Sequence, residues 1–287
     1  MAEILRGKDV AAFINERSRK DVETLREKGI TPALAIVRVG EKENDIAYER
    51  NAIKRCDSIG VKTVSVILPA DIAKDDFYGR LDELNNDDEI HGILLLRPVP
   101  KHLDNEKARQ YIRPEKDVDG CTDGSLAGVF TGTARGFAPC TAQAAVEMLD
   151  YYGIDVTGKN TVILGRSLVV GRPLAMLLMN RNATITICHR KTVNVSEIAR
   201  KAEILISTMG EIEAVTADYL NPGQTVIDVG ITYSQEKQKI YGDVLFEEAE
   251  KIVDKITPVP GGVGSVTTSV LVSHVVEAAK RANESRE

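Results

Sequence analysis

Along the chain, short uninterrupted apolar runs alternate with longer stretches in which apolar positions recur every three or four residues. The first pattern belongs to strands covered on both faces, the second to helices with one buried side. Residues 8–28 predict a charged amphipathic helix with Val10, Phe13, Ile14 and Leu25 on its buried side, stopped by Gly29. Residues 33–39 read as a strand, Gly40 opens a polar loop, and 45–59 read as a helix ending at Gly60. A second strand at 61–68, a helix at 75–84 and a third strand at 92–96 follow, the last broken by Arg97-Pro98-Val99-Pro100. This βαβαβ alternation predicts a parallel sheet.

The middle of the chain is polar: residues 114–120, Pro-Glu-Lys-Asp-Val-Asp-Gly, read by themselves as a solvated turn. Phe137-Ala-Pro-Cys-Thr141 leads into a helix at 142–152. The stretch Thr161-Val-Ile-Leu-Gly-Arg-Ser-Leu-Val-Val-Gly-Arg-Pro173 then reads as a buried strand, a glycine turn and the start of a helix. Gly165 turns the chain, Gly171 permits close backbone approach, and Pro173 suits a first helical turn, where a missing amide proton costs nothing. Such a helix N-terminus, with unpaired N–H groups and a partial positive charge, is a seat for a dinucleotide pyrophosphate. The glycine spacing is not G-x-G-x-x-G, and a plain strand-to-helix turn fits these residues equally well.

A second strand, 184–188, ends in His189-Arg190-Lys191. An acid at this tip would select NAD through the ribose hydroxyls, whereas bases accommodate a 2′-phosphate. The acid is absent, which favours NADP over NAD, with Arg166 and Arg190 as the clamp if both turn inward. Further strands near 203 and 225, a glycine-rich loop at 257–264 and a last helix from 266 complete an α/β chain of two domains, the second of Rossmann type.

Composition narrows the class. A chain of 287 residues with 43% hydrophobic content can fill two cores, and a net charge of −6 argues against nucleic-acid binding. The first residues resemble neither a signal nor a transit peptide, and no apolar run reaches membrane-spanning length, so a cytoplasmic protein is expected. Cys56, Cys121, Cys140 and Cys188 lack C-x-x-C spacing, predicting small buried or reduced thiols, no metal site and no disulfide framework.

Taken in order, five pieces carry a family resemblance: P-E-K-D-V-D-G at 114–120, P-C-T at 139–141, G-R-S-x-x-V-G-R-P at 165–173, V-I-D-V-G-I at 226–231 and P-V-P-G-G-V-G at 258–264. From end to end the chain resembles the methylenetetrahydrofolate dehydrogenase/cyclohydrolase family. The resemblance implies a folate-binding α/β domain at 1–145, on which a C-terminal helix (266–287) packs back, a Rossmann NAD(P)-binding domain at 146–265, folate held in the cleft between them, and a homodimer. It implies oxidation of 5,10-methylenetetrahydrofolate, with tetrahydrofolate as the one-carbon carrier and NADP as hydride acceptor. It places Tyr48 and Asp119 in catalysis and folate binding, Pro260, Gly261 and Gly262 in substrate binding, and Gly165, Arg166, Ser167, Arg190 and Ile231 around the cofactor.

Two departures stand out. The family reads Y-x-x-x-K, with a catalytic lysine one turn after the tyrosine, but here the run is Tyr48-Glu-Arg-Asn-Ala52. At about 100° per residue, Lys54 points roughly 200° from the direction of Ala52 and does not replace it on a regular helix. Where the family reads V-Q-L-P-L-P, this chain has Leu95-Leu96-Arg97-Pro98-Val99-Pro100, so Leu96 stands at the glutamine that would hydrogen-bond the lysine. The sequence thus predicts a dehydrogenase whose second activity, methenyltetrahydrofolate cyclohydrolase, is weak, absent or run by a substitute base. Two alternatives remain: a different Rossmann oxidoreductase resembling shikimate dehydrogenase, and a non-catalytic folate- or nucleotide-binding protein.

Overall fold

The computed structural model describes residues 1–284, which fold as two compact units. Unit 1 comprises Met1–Ala12 and Thr141–Thr267; unit 2 comprises Phe13–Cys140 and the residues from Thr268 onward. In chain order, β1 (Glu3–Ile4) and the amphipathic helix α1 (Gly7–Glu27) come first. There follow β2 (Ala33–Val39), α2 (Glu43–Ile59), β3 (Lys62–Leu68), α3 (Lys74–Asn86) and β4 (Gly92–Leu95). Short helices α4 (Asn105–Gln110) and α5 (Asp123–Thr131) precede α6 (Cys140–Tyr151). Next alternate β5 (Asn160–Leu164), α7 (Gly171–Met179), β6 (Thr184–Cys188), α8 (Val195–Arg200), β7 (Ile204–Ser207) and β8 (Thr225–Asp228). The hairpin β9 (Thr232–Ser234) and β10 (Lys239–Tyr241), helix α9 (Phe246–Ala249), strand β11 (Lys255–Ile256) and helix α10 (Thr267–Glu284) end the described chain.

In unit 2 the sheet runs β3-β2-β4, all parallel. The middle strand β2 is buried at every residue, as expected of an almost wholly apolar run. Ala35 and Val37 pack into a core with Phe77, Leu81, Ile93 and Leu103. One polar residue interrupts β2: Arg38, buried, donates from Nε to Glu49 Oε2 of α2 at 2.8 Å and from Nη1 to the Gly40 carbonyl at 2.6 Å. Helix α2 ends at Gly60, whose φ of +93° lets its N–H reach the Cys56 carbonyl at 2.9 Å.

In unit 1 a six-stranded parallel sheet has the order β1-β11-β8-β7-β5-β6. The two-residue strand β1 pairs with β11, so residues 1–12 belong with unit 1 rather than with the 1–145 stretch in which the sequence grouped them. A two-residue strand has no periodicity to read; long-range pairing alone defines it. Residues 285–287 of the helix expected at 266–287 lie outside the described residues. No described helix is long and apolar enough to cross a membrane.

Candidate functional site

Each unit carries part of the predicted site. In unit 2 the parallel strands deliver their carboxyl ends to one edge, and there a cavity of about 300 Å³ is lined by Asp45 and Tyr48 of α2, the segment from Leu94 to Arg97, and Asp119. Tyr48 and Asp119, far apart in sequence, therefore share one wall. Tyr48 keeps 40% of its surface exposed. Its hydroxyl nevertheless titrates well above the ordinary phenol range, first through desolvation and then through the charge of Asp119 and the nearby thiols of Cys140 and Cys121.

Asp119 sits in a dense polar network. Cys121 donates its S–H to Asp119 Oδ2 at 2.9 Å, and Arg97 Nη2 donates to Cys121 Sγ at 3.2 Å. Burial, with the like charge of Asp117, raises the Asp119 carboxyl above its ordinary value, while the Cys121 hydrogen bond, the Arg97 charge and the Cys140 thiol pull it back down. Asp117 is spent structurally: its carboxylate accepts from the N–H of Cys121 at 3.1 Å, the N–H of Thr122 at 2.7 Å and Ser125 Oγ at 2.7 Å. Cys140 donates to the Val118 carbonyl at 3.3 Å, and His274 Nδ1 reaches the same carbonyl at 2.9 Å. Burial pushes His274 down to about 4.

The departures read from the sequence have definite positions. Helix α2 is continuous from Glu43 to Ile59, so the helical-wheel argument applies without a local irregularity. Ala52 is fully buried one turn after Tyr48, Leu96 is buried on the cavity wall, and Lys54 is exposed. Neither 52 nor 96 offers a polar atom beyond the backbone.

In unit 1 the strand β5 ends at Gly165, where φ is +123° and an added Cβ would fall 2.2 Å from Thr208 Oγ1. A Cβ on Gly171 would fall 2.3 Å from the Gly165 carbonyl oxygen. No side chain fits at either point, and this bare backbone is what a phosphate-bearing cofactor needs for close approach. Arg166 and Ser167 lie on the exposed loop above it. The first turn of α7 is not open, as the sequence suggested. Ser167 Oγ accepts from the N–H of Val170 at 3.1 Å and of Gly171 at 3.4 Å, and the Ser167 carbonyl accepts from Arg172 at 3.1 Å. Arg190, at the tip of β6, is 2.7 Å from Glu211 Oε1 in an exposed ion pair. Ile231 and the loop residues Pro260, Gly261 and Gly262 line one further cavity of about 240 Å³, with Asp228 at its edge.

Family models match both parts of the chain: the catalytic domain of tetrahydrofolate dehydrogenase/cyclohydrolase over residues 5–119, and its NAD(P)-binding domain over residues 139–283. The chain belongs to the tetrahydrofolate dehydrogenase/cyclohydrolase family. Among curated members it is 49% identical over 284 residues to the bifunctional protein FolD of Carboxydothermus hydrogenoformans, covering 99% of each chain. Among solved structures of this family it is similar to the bifunctional FolD of Campylobacter jejuni, at 36% identity and a TM-score of 0.93, covering 98% of this chain and 99% of that one. It is similar also to the FolD of Trypanosoma brucei, solved with NADP and an inhibitor, at 33% identity and a TM-score of 0.89, covering 98% of both chains.

Within this tetrahydrofolate dehydrogenase/cyclohydrolase member, sequence reasoning assigned Cys121 and Cys140 no role beyond buried or reduced thiols and passed over His274 and the Arg38–Glu49 pair. Spacing carries no signal for them. Cys121 follows the aspartate motif by two positions, and only the turn at Gly120, with φ +72°, brings its sulfur back to Asp119. The four cysteines are free and buried, and no metal-binding group of His, Cys, Asp or Glu occurs among the described residues.

Proposed function

We propose that this chain oxidises 5,10-methylenetetrahydrofolate to 5,10-methenyltetrahydrofolate with NADP as the hydride acceptor, and that its cyclohydrolase step is weak or absent. The observation that carries the reading is the unit 2 cavity, where Tyr48 and Asp119 face one space while positions 96 and 52 are apolar. Asp119 is suited to accept hydrogen bonds from the amino and ring N–H groups of a pterin. Tyr48 offers a ring face for stacking and a hydroxyl that stays protonated at neutral pH. NADP, when bound, would supply the hydride acceptor, and the part left to the chain's own residues would be orientation rather than acid–base chemistry.

Hydrolysis of the methenyl product needs a water directed or deprotonated at the one-carbon centre, work for which a lysine of lowered pKa is suited. Ala52 has no such group, Lys54 is exposed, and the Arg97 guanidinium stays protonated and is a poor base. The test is a paired assay on the pure protein, following oxidation of methylenetetrahydrofolate with NADP and with NAD, and separately the decay of added methenyltetrahydrofolate above its uncatalysed rate. Oxidation without accelerated decay is expected. Decay catalysed as fast as oxidation would overturn the second half of the reading, and silence in both assays would overturn the first.

For the cofactor, Gly165, Arg166 and Ser167 form the turn that would hold the dinucleotide, Ile231, on the wall of the second cavity of unit 1, would add a contact, and Arg190 supplies a base for a 2′-phosphate once Glu211 yields. Pro260, Gly261 and Gly262, on a cavity of unit 1, are the remaining residues proposed for folate binding. The expected setting is a cytoplasmic homodimer. Likeness over nearly the whole chain to this family gives no support to a shikimate-type substrate or to a non-catalytic role.

A further inference from the structure

We propose that Cys121 and Arg97 act together as positioning residues for Asp119, a thiol relay that fixes the rotation of the substrate-binding carboxylate. The proposal rests on the reading of Asp119 as the pterin partner and names what holds it in place. Five contacts spend the polar atoms of Cys121, the longest being its sulfur to the Asp119 carbonyl at 3.7 Å. Its N–H donates to Asp117 Oδ1 at 3.1 Å, and its carbonyl accepts from Arg109 Nη1. Its sulfur donates to Asp119 Oδ2 at 2.9 Å and accepts from Arg97 Nη2 at 3.2 Å. With the backbone fixed on both sides, the thiol has one rotor left, and the guanidinium on one side and the carboxylate on the other set it.

Arg97 is held in turn. It lies two residues beyond β4, and Lys42 Nζ donates to the carbonyl of the next residue, Pro98, at 2.6 Å. Arg97 stands where the family run V-Q-L-P-L-P has a leucine, and it lines the cavity wall next to Leu96. It does not supply the missing amine. It reaches toward the sulfur of Cys121, and its charge helps keep Asp119 ionised against the like charge of Asp117. The charged and titratable groups facing Asp119 are Asp117, Arg97, Cys121, Cys140 and Tyr48, with His274 behind Cys140 and Arg109 behind Cys121. A sulfur between guanidinium and carboxylate transmits orientation while keeping the two ions from closing into a direct pair, which would take Asp119 away from the substrate.

The test is steady-state kinetics of methylenetetrahydrofolate oxidation, across pH, for C121A, C121S, R97L, C121A/R97L and D119N, with thermal unfolding recorded for each. C121A is expected to raise KM for the folate about tenfold with kcat changed far less. It should also move the acid limb of kcat/KM to higher pH, because the ionised carboxylate has lost a donor. C121S, which keeps a donor and an acceptor, should recover most of the affinity, and R97L should add little once Cys121 is gone. An unchanged KM and pH profile in C121A, or fully additive effects of C121A and R97L, would overturn the relay. D119N separates the two levels. If D119N leaves KM unchanged, the reading of Asp119 fails and the relay falls with it; if D119N raises KM while C121A and C121S both behave as the parent, the relay alone fails. Should C121A not fold, C121S and R97L still decide.

Discussion

At the scale of single residues, the groups around Asp119 titrate away from their ordinary values because burial works against their charge. The raised pKa of Asp119 means that the native protein binds its proton more readily than the unfolded chain does. Its contribution to stability is therefore greatest below the ordinary carboxylate range and is lost as pH rises through the native value. D119N cannot ionise, so it should unfold at a higher temperature than the parent at neutral pH, with the gap closing in acid, while its KM for folate rises. Parallel melts at the two pH values check this. His274 has the opposite sense. Its native value lies near 4 against an ordinary 6.5, so between these values the unfolded chain takes up a proton that the native protein refuses. Stability should fall as pH drops from about 6.5 to about 4 through this group. H274Q, which keeps a donor for the Val118 carbonyl, should flatten that part of the urea-midpoint profile.

At the scale of elements, helix α2 separates what supports the fold from what supports chemistry. Its buried side carries Glu49, Ala52, Cys56 and Ile59, and Tyr48 stands at the edge facing the cavity. The Arg38–Glu49 pair ties this helix to the central strand of the sheet. Removing one partner leaves a buried charge, so E49A should cost about 3 kcal/mol in chemical denaturation, whereas the apolar double variant R38M/E49L should cost far less. A52K with L96Q returns an amine and its hydrogen-bond partner to the two altered positions. That variant should raise methenyltetrahydrofolate hydrolysis by about a hundredfold, the low end of what a positioned general base contributes. In unit 1 the equivalent tight point is Gly165, where an alanine would meet Thr208 in a left-handed backbone; G165A should destabilise by about 2 kcal/mol and weaken NADP binding.

At the scale of the whole molecule, the role proposed for Arg190 in cofactor choice rests on a balance of charge between two loops of unit 1. Arg190 lies at the tip of β6, while its partner Glu211 follows β7. An exposed pair of this kind is worth at most about 1 kcal/mol, so a bound phosphate can outcompete it. E211Q should lower KM for NADP several-fold and leave KM for NAD nearly unchanged, and R190A should narrow the gap between the two cofactors. Ratios of kcat/KM measured with both cofactors give the answer.

The sequence by itself determined most of the elements. Strands 33–39 and 184–188 both stand where the sequence put them: the first is buried at every residue along its mainly apolar run, the second is mostly half-buried and rich in β-branched residues, and both signals are local. The helix wheel likewise placed Lys54 away from the cavity, because the 3.6-residue period is a local property. Tyr48 and Asp119 were named from motifs, but that they share one cavity follows only from the parallel sheet delivering β4, α2 and the Asp119 turn to one edge. The pairing of β1 with β11, the Ser167 hydroxyl filling the first turn of α7, the Arg38–Glu49 pair and the contact of Cys121 with Asp119 and Arg97 were decided by tertiary structure alone. Each joins groups through the third dimension with no period, composition or fixed spacing to announce it, and chain geometry, rather than residue type, sets whether a thiol two residues beyond an aspartate faces it or turns away.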